Sequence, residues 1–362
     1  MRIFALTRYS SLGASSRMRF FQFRHACRAA KIAVRFSPLI DDKALRAKYA
    51  DGRYSFISLV AAYARRVLGL VLLRERELIW VEKEVLPWVP FFFEKLLLRG
   101  RPYVLDLDDA VFHNYDKNSN YVIRYLMGSR IDNLMACARL VVVGNQYLAQ
   151  RARKAGAAWV EVMPTVVDMD RYQVTDVDHL GDSLRVVWIG SPSTVKYLVE
   201  ISAVLARVSK ISPFILRIIG GGDVELPGVR VECISWSEDL EIRLIKECDV
   251  GIMPLRDGPW ERGKCAYKLI QYMACGLPTI ASAVGANNDV VVNGQTGHLV
   301  STEDGWVNAL CHLLGDPVSR KKMGCAGRVR VFERYSLQSN APRLANLLRQ
   351  AGDKGHSVSR CE

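Results

Sequence analysis

The sequence predicts an α/β chain of two similar units, and three features predict it. Short apolar runs alternate with longer helical ones from the first residues onward. The alternation occurs twice, with a polar, acidic stretch between the two series. At 362 residues the chain is long for one domain, so two cores are the better expectation. Short apolar strands separated by helices imply parallel sheets covered on both faces.

In the first series, residues 3–6 read as a buried strand, 7–16 as a polar loop with Gly13, and 17–30 as a helix. Residues 32–36 form the next strand, and 44–76 are mostly helical with interruptions at Gly52 and Gly69. Strands follow at 78–81, 103–107 and 140–143, the last closed by Gly144 and Asn145. Residues 163–182, irregular and acidic with Pro164, connect to the second series. That series runs strand 184–189, helix 194–208 and strand 214–219, which ends in Gly220, Gly221 and Gly222. Strands at 229–233, 250–253, 279–283 and 298–300 complete it. The domains expected are therefore 1–165 and 184–335 with a linker at 166–183, then a helix at 336–351 and a disordered polar tail at 352–362.

Half of the residues are apolar, and the net charge is +13. Such a charge implies an acidic partner: nucleic acid, an anionic membrane or a phosphorylated ligand. Nucleic acid is not expected, because Lys and Arg are scattered and no zinc-finger spacing or dense basic helix is present. The nine Cys show no CxxC pair, so reduced thiols in a cytosolic protein are expected rather than disulfides or a metal site. No stretch reaches the roughly 18 apolar residues of a spanning helix, and MRIFALTRYSS is too soon polar for a signal peptide.

The segment GIMPLRDGPWERGKCAYKLIQYMACGLPTIASAVGANNDVVVNGQTGHLV, residues 251–300, is the most informative. A strand ending in Pro254 leads into a polar loop with Arg262, Lys264 and Lys268. A helix at 267–274 then runs into Gly276 and Pro278, which stop it. Cations beside the free N–H groups of a helix start suit a phosphate, and the C-terminal strand edge is where open α/β sheets bind ligands.

KLIQYMACGLPTIAS, followed by VG and NGQTGHLV, resembles the donor-binding region of family 4 retaining glycosyltransferases (glycosyl transferases group 1). The resemblance implies the GT-B fold, with two Rossmann-like domains facing a central cleft, an N-terminal acceptor side and a C-terminal nucleotide-sugar side. It also implies a last helix that crosses back onto the first domain. The activity implied is transfer of a sugar from a nucleoside diphosphate sugar to a hydroxyl, in polysaccharide or glycoconjugate synthesis. Attack is from the front face, with the leaving phosphate assisting deprotonation, and no metal or other cofactor is implied. The alternative is a non-catalytic homologue that binds or scaffolds.

Lys196 lies six residues after Gly190, the spacing of the family's diphosphate lysine; the family's usual Arg is Ser191 here. Arg262, Lys264 or Arg17 are candidates for the missing charge. Lys268 matches a phosphate lysine of the family. The bland alternative for each is a surface helix cation. The family's pair of Glu residues is replaced by Gly263 and Gln271, with Glu261 two residues before the first position. The Gln271 amide can still bond ribose hydroxyls, without charge assistance. Gly221 and its neighbours either let backbone approach the nucleotide or form a plain turn. They do not make GxGxxG, which removes the main support for a dinucleotide-dependent dehydrogenase.

On the acceptor side, Gly13 lets backbone approach a ligand, Ser15 or Ser16 can cap the next helix, and Arg17 is expected to point toward charge. Asp106, Asp108 and Asp109 end an apolar strand, and Asp108, then Asp109, is the choice for orienting or deprotonating an acceptor hydroxyl. A solvated strand end is the plainer reading, and an Asp-x-Asp metal site of the GT-A fold is a third. His113 is expected to be structural. WVEKEVLPWVPFFFEKLLL, residues 80–98, is read as a buried helix in preference to a segment lying on a membrane beside a lipid-linked acceptor. Peripheral contact at the inner membrane face accompanies that second reading.

Overall fold

The computed structural model describes residues 1–73, 77–173 and 183–353. The chain divides into two compact units: Met1–Thr165 with the described residues from Asn340 on, and Val166–Ser339. The first unit holds β1 (Arg2–Tyr9), β2 (Ala33–Ile40), β3 (Leu78–Glu82), β4 (Tyr103–Leu107), β5 (Leu140–Val143) and β6 (Val160–Val162). They form one sheet in the order β2-β1-β3-β4-β5-β6. The second unit holds β7 (Arg185–Ile189), β8 (Ile215–Ile219), β9 (Arg230–Ile234), β10 (Val250–Met253), β11 (Thr279–Ser282) and β12 (Gly297–Val300). Their order is β12-β11-β10-β7-β8-β9. Every pairing in both sheets is parallel.

The central strands are buried on both faces, which explains their unbroken apolar runs. Leu6, Ile79, Leu105 and Val141 fill the first core; Val187, Ile218, Ile252 and Ile280 lie in the second. The largest side chains without exposure are Trp80 on β3 and Trp188 on β7. Chain order reverses between β1 and β3 in one sheet and between β7 and β10 in the other. Helices diverge at such a switch and leave a crevice at the strand C-termini. The loops after β1, β3, β7 and β10 therefore border the two places where a ligand fits.

Two expected helices are broken, and a third segment is interrupted at one of its two expected places. Residues 17–30 become the helix Ala14–Arg19, the 3-10 turn Phe21–Phe23 and the helix Arg24–Ala29. The break falls at Phe20, with φ −128° and ψ −63°, whose ring enters the core 4.1 Å from that of Trp80. The 44–76 segment splits at Gly52, in the left-handed region at φ 73°, into Asp42–Asp51 and Phe56–Val71. Gly69 stays helical, where a Cβ would sit 3.4 Å from the Phe4 ring; residues 74–76 lie outside the described residues. The 194–208 helix is two, Lys196–Glu200 and Ser202–Ile211, after a 3-10 turn at Pro192–Thr194. Edge strand β6 was not expected; VEV is too short to show alternation.

Residues 80–98 are not one buried helix. Trp80 to Glu82 belong to β3, residues 83–90 form a loop, and Phe91–Leu98 is a helix with Phe92, Phe93 and Leu96 exposed. Of the expected linker, 174–182 lie outside the described residues, as does the tail from 354. The helix Leu337–Gly352 buries Leu344 and Leu348. Arg139 Nη1 donates to the Ala351 carbonyl at 3.0 Å, and Arg349 donates to that of Ala30 at 2.5 Å. Both bonds lie within the first unit.

Candidate functional site

In the second unit, residues after β7, β8 and β10 gather around Trp188. A side chain at Gly190 would collide with the Trp188 ring and with Thr194 Oγ1. One at Gly221 would collide with Ile218 and sit 3.2 Å from the same indole. These glycines are required by close packing of the strand ends. Gly220 is also left-handed, at φ 77°, and packs on the Gly190 carbonyl. Ser191 holds the turn: its N–H donates to Thr194 Oγ1 at 3.2 Å, and its hydroxyl shares a 2.9 Å bond with Ser193. Lys196 opens the next helix, exposed, with Nζ 5.0 Å from the Tyr197 ring centroid. Among the described residues no carboxylate pairs with it.

The helix Tyr267–Ala274 starts after Ala266, which is left-handed at φ 53°, and no side chain caps its first N–H groups. Lys268 lies in its first turn with Nζ 5.1 Å from the Trp188 ring. Burial, and secondarily the neighbouring Lys264 ammonium, lowers the Lys268 pKa to about 7. A cation held partly out of water beside another cation and open N–H donors is poised for an anion. No described carboxylate pairs with Lys268.

The other donor-side candidates have protein partners. Arg262 makes a two-point ion pair with Asp257, at 2.7 and 2.9 Å, so it does not supply the uncompensated charge expected of it. Glu261 is buried and accepts a 2.6 Å bond from the Tyr197 hydroxyl, which ties the turn Pro259–Arg262 to the Lys196 helix. Gln271 is buried, and its Nε2 meets the Tyr172 hydroxyl at 3.5 Å; the amide expected for the ribose is turned into the protein.

In the first unit, the loop after β1 meets the ends of β3 and β4. The helix Ala14–Arg19 has Gly13 as its N-cap and no side-chain cap, so neither Ser15 nor Ser16 caps it. The Ser15 hydroxyl donates to Asp108 at 2.6 Å, and that of Ser16 donates to Glu82 at 2.6 Å. A side chain at Gly13 would collide with that of Tyr9. Arg17 is buried, and its Nη1 meets the Ser11 carbonyl at 3.5 Å.

Asp106 is buried and paired with Arg19 at 2.8 Å; burial still raises its pKa to about 6. Asp108 pairs with Lys83 Nζ at 2.8 Å. Burial opposes its charge, but Lys83 and the Lys83 and Ser15 hydrogen bonds outweigh burial and hold the carboxyl below its ordinary value. Asp109 is half-buried, and its Oδ1 accepts from the Ala110 N–H at 3.1 Å. His113 bonds Asp116 and the Tyr147 hydroxyl, each at 2.8 Å, a structural arrangement. Sequence reasoning missed Lys83, Arg19 and the buried cluster in which Arg130 pairs with Glu84 and Glu94 and the Tyr115 hydroxyl donates to Glu84. The string WVEKE was the available signal: a buried strand running straight into three charges.

Residues 183–316 match the family model described as Glycosyl transferases group 1. Alpha-1,3/1,6-mannosyltransferase ALG2 of Dictyostelium discoideum is 33% identical over 82 residues, 22% of this chain and 20% of that protein. A GDP-mannose-dependent alpha-(1-6)-phosphatidylinositol monomannoside mannosyltransferase of Mycolicibacterium smegmatis is 33% identical over 81 residues, 22% of this chain and 21% of that protein. The matched segment thus spans about a fifth of these relatives. Among solved structures, HepE of Anabaena with bound UDP superposes with a TM-score of 0.70 at 15% identity, covering 97% of this chain and 100% of that one. Sucrose-phosphate synthase of Thermosynechococcus elongatus superposes with a TM-score of 0.71 at 18% identity, covering 97% and 98%. The fold is the two-domain α/β GT-B fold, which sets aside the GT-A reading of the Asp cluster.

Proposed function

We propose that this chain is a family 4 retaining glycosyltransferase. It moves a sugar from a nucleoside diphosphate sugar to a hydroxyl acceptor in polysaccharide or glycoconjugate synthesis. The carrying observation is Lys268, which has no described carboxylate partner and sits over Trp188 at an uncapped helix start. That helix lies within the segment similar to group 1 glycosyl transferases. As the glycosidic bond breaks, charge grows on the leaving diphosphate. Lys268, Lys264 and Lys196, with the N–H groups of the helix start, meet that charge more strongly in the transition state than in the ground state.

The sugar is attacked on the face the nucleotide leaves, and the departing phosphate takes the acceptor proton. A strong base is then unnecessary, which suits Asp108, whose charge is compensated by Lys83. Asp108 and Asp109 orient the acceptor hydroxyl. Because protein cations neutralise the donor, no metal or other cofactor takes part. The protein works in the cytoplasm, on an acceptor that the phosphatidylinositol-directed relative suggests is lipid-linked.

A thermal-shift panel of UDP, GDP, ADP and their sugars tests this reading. One nucleotide family should raise the melting temperature in EDTA, since ligand at 100 times its Kd adds about 2.7 kcal/mol. A shift only with Mg²⁺ overturns the metal-free donor site, and no shift with any nucleotide overturns the transferase. Anomeric configuration of the product, read by NMR, tests retention.

A further inference from the structure

The first unit carries an exposed apolar face that the donor and acceptor sites do not use. On the helix Phe56–Val71, Phe56 is 79% exposed and Ile57 equally so. On Phe91–Leu98, Phe92 is 69% exposed and Phe93 is exposed beside it. On Tyr121–Met127, Tyr121 and Tyr125 are exposed, the latter at 76%. The first two helices are neighbours, and the Tyr63 hydroxyl donates to the Pro87 carbonyl, in the loop that leads into the second, at 2.7 Å. The third packs against the short helix His113–Asp116 that precedes it, and Tyr115 of that short helix meets Trp88, in the loop before Phe91–Leu98, edge-on at 5.0 Å. Contiguous exposed aromatics on this scale are not ordinary surface.

The charges on these helices have one sign. Arg99 and Arg124 are exposed on or next to them, as is Arg65, which pairs with Asp41 at 3.8 Å. Glu94 is the one carboxylate in the three helices, and it is buried against Arg130. Topology also places the aromatic ends. The helix Phe91–Leu98 joins β3 to β4 of a parallel sheet, so its first turn lies at the strand C-termini, and Tyr54 and Leu59, on either side of Phe56, pack with Tyr9 and Ile40, the last residues of β1 and β2. Phe56 and Phe92 therefore stand at the same end of the sheet as Asp108 and Lys83.

We infer that this face docks on an anionic lipid bilayer, aromatic side chains in the interface and arginines against the headgroups. Rings combined with an excess of cations are what such a surface binds. A second copy of this chain fits poorly, because it would set arginines against arginines. Docking would bring the end of the sheet bearing Asp108 to the membrane, which deepens the proposed function by making the acceptor lipid-borne. That consequence rests on the transferase reading; the docking itself rests on the surface alone.

The test is co-sedimentation of the full chain with vesicles of phosphatidylcholine, with and without phosphatidylglycerol. Binding is expected to the anionic vesicles, to weaken at high salt, and to fall about tenfold or more in the Phe92→Ser, Phe93→Ser double variant. The variant should melt as the wild type does, since both rings are exposed. Failure to bind anionic vesicles, or equal binding by a folded variant, overturns the inference. So does a wild-type dimer in sedimentation velocity that the variant dissociates without any vesicle binding. The nucleotide thermal shift is read on the same protein. A shift without vesicle binding sinks the membrane face alone, and vesicle binding without a shift sinks the transferase alone.

Discussion

Lys268 is charged or neutral according to what lies over it. With its pKa lowered to about 7, it is largely neutral in the empty protein at about pH 8 and becomes protonated when a diphosphate arrives. Nucleotide binding should then take up close to one proton at about pH 8 and almost none at about pH 6. Calorimetry in buffers of different ionisation enthalpy reads this directly, and equal uptake at both values would remove Lys268 from the phosphate site. Affinity should fall as pH rises through 7, because the neutral form is progressively favoured before binding. Lys268→Ala and Lys196→Ala should each cut turnover by about tenfold or more with the melting temperature little changed, as lost transition-state charge stabilisation does. The family resemblance singled out the lysines at 196 and 268, and each lies in the first turn of its helix. The fates of Arg262, Glu261 and Gln271 were not legible, because Asp257, Tyr197 and Tyr172 neutralise or engage them through contacts that spacing does not encode.

Among the elements, the strands were the legible part: β4, β5 and β10 end where their apolar runs end. Of the helix breaks, the one at Gly52 was legible, whereas the one at Phe20, whose ring meets that of Trp80, is announced by no local residue. Pairings between strand ends escaped for the same reason. Asp108 meets Lys83 because β3 and β4 are in register, with Glu82 opposite Asp106. That pair makes a second prediction. Asp108→Asn should destabilise by about 3 kcal/mol by leaving the buried Lys83 ammonium unpaired, and adding Lys83→Met should recover most of it. If transfer stays low in the recovered double variant, Asp108 acts on the acceptor; if transfer returns, its role is structural. Arg130→Met, which strands Glu94 and takes one partner from Glu84, still paired with Arg8, should cost about 3–5 kcal/mol in denaturant unfolding, and a smaller loss would mean that the Glu94 carboxyl is protonated.

For the whole molecule, two doubly covered sheets followed from the repeated strand–helix alternation, and the sites fall where chain order reverses. The second unit is one continuous stretch of chain, whereas the first is assembled from both ends of the described sequence. Its closing piece is the last helix, with Leu348 wholly buried. Leu348→Ala should cost about 3 kcal/mol in the unfolding of the first unit, with the nucleotide-induced shift of the second unit kept; loss of that shift would show that the two unfold together. The order of synthesis gives this discontinuity a further consequence. The amino-terminal sheet leaves the ribosome first, yet it must wait for the last helix, made after the entire second unit. Until then, the surfaces of the first unit that later cover Leu344 and Leu348 remain open to solvent. The interval between translating Thr165 and Asn340 is thus the window in which a nascent chain most needs a chaperone.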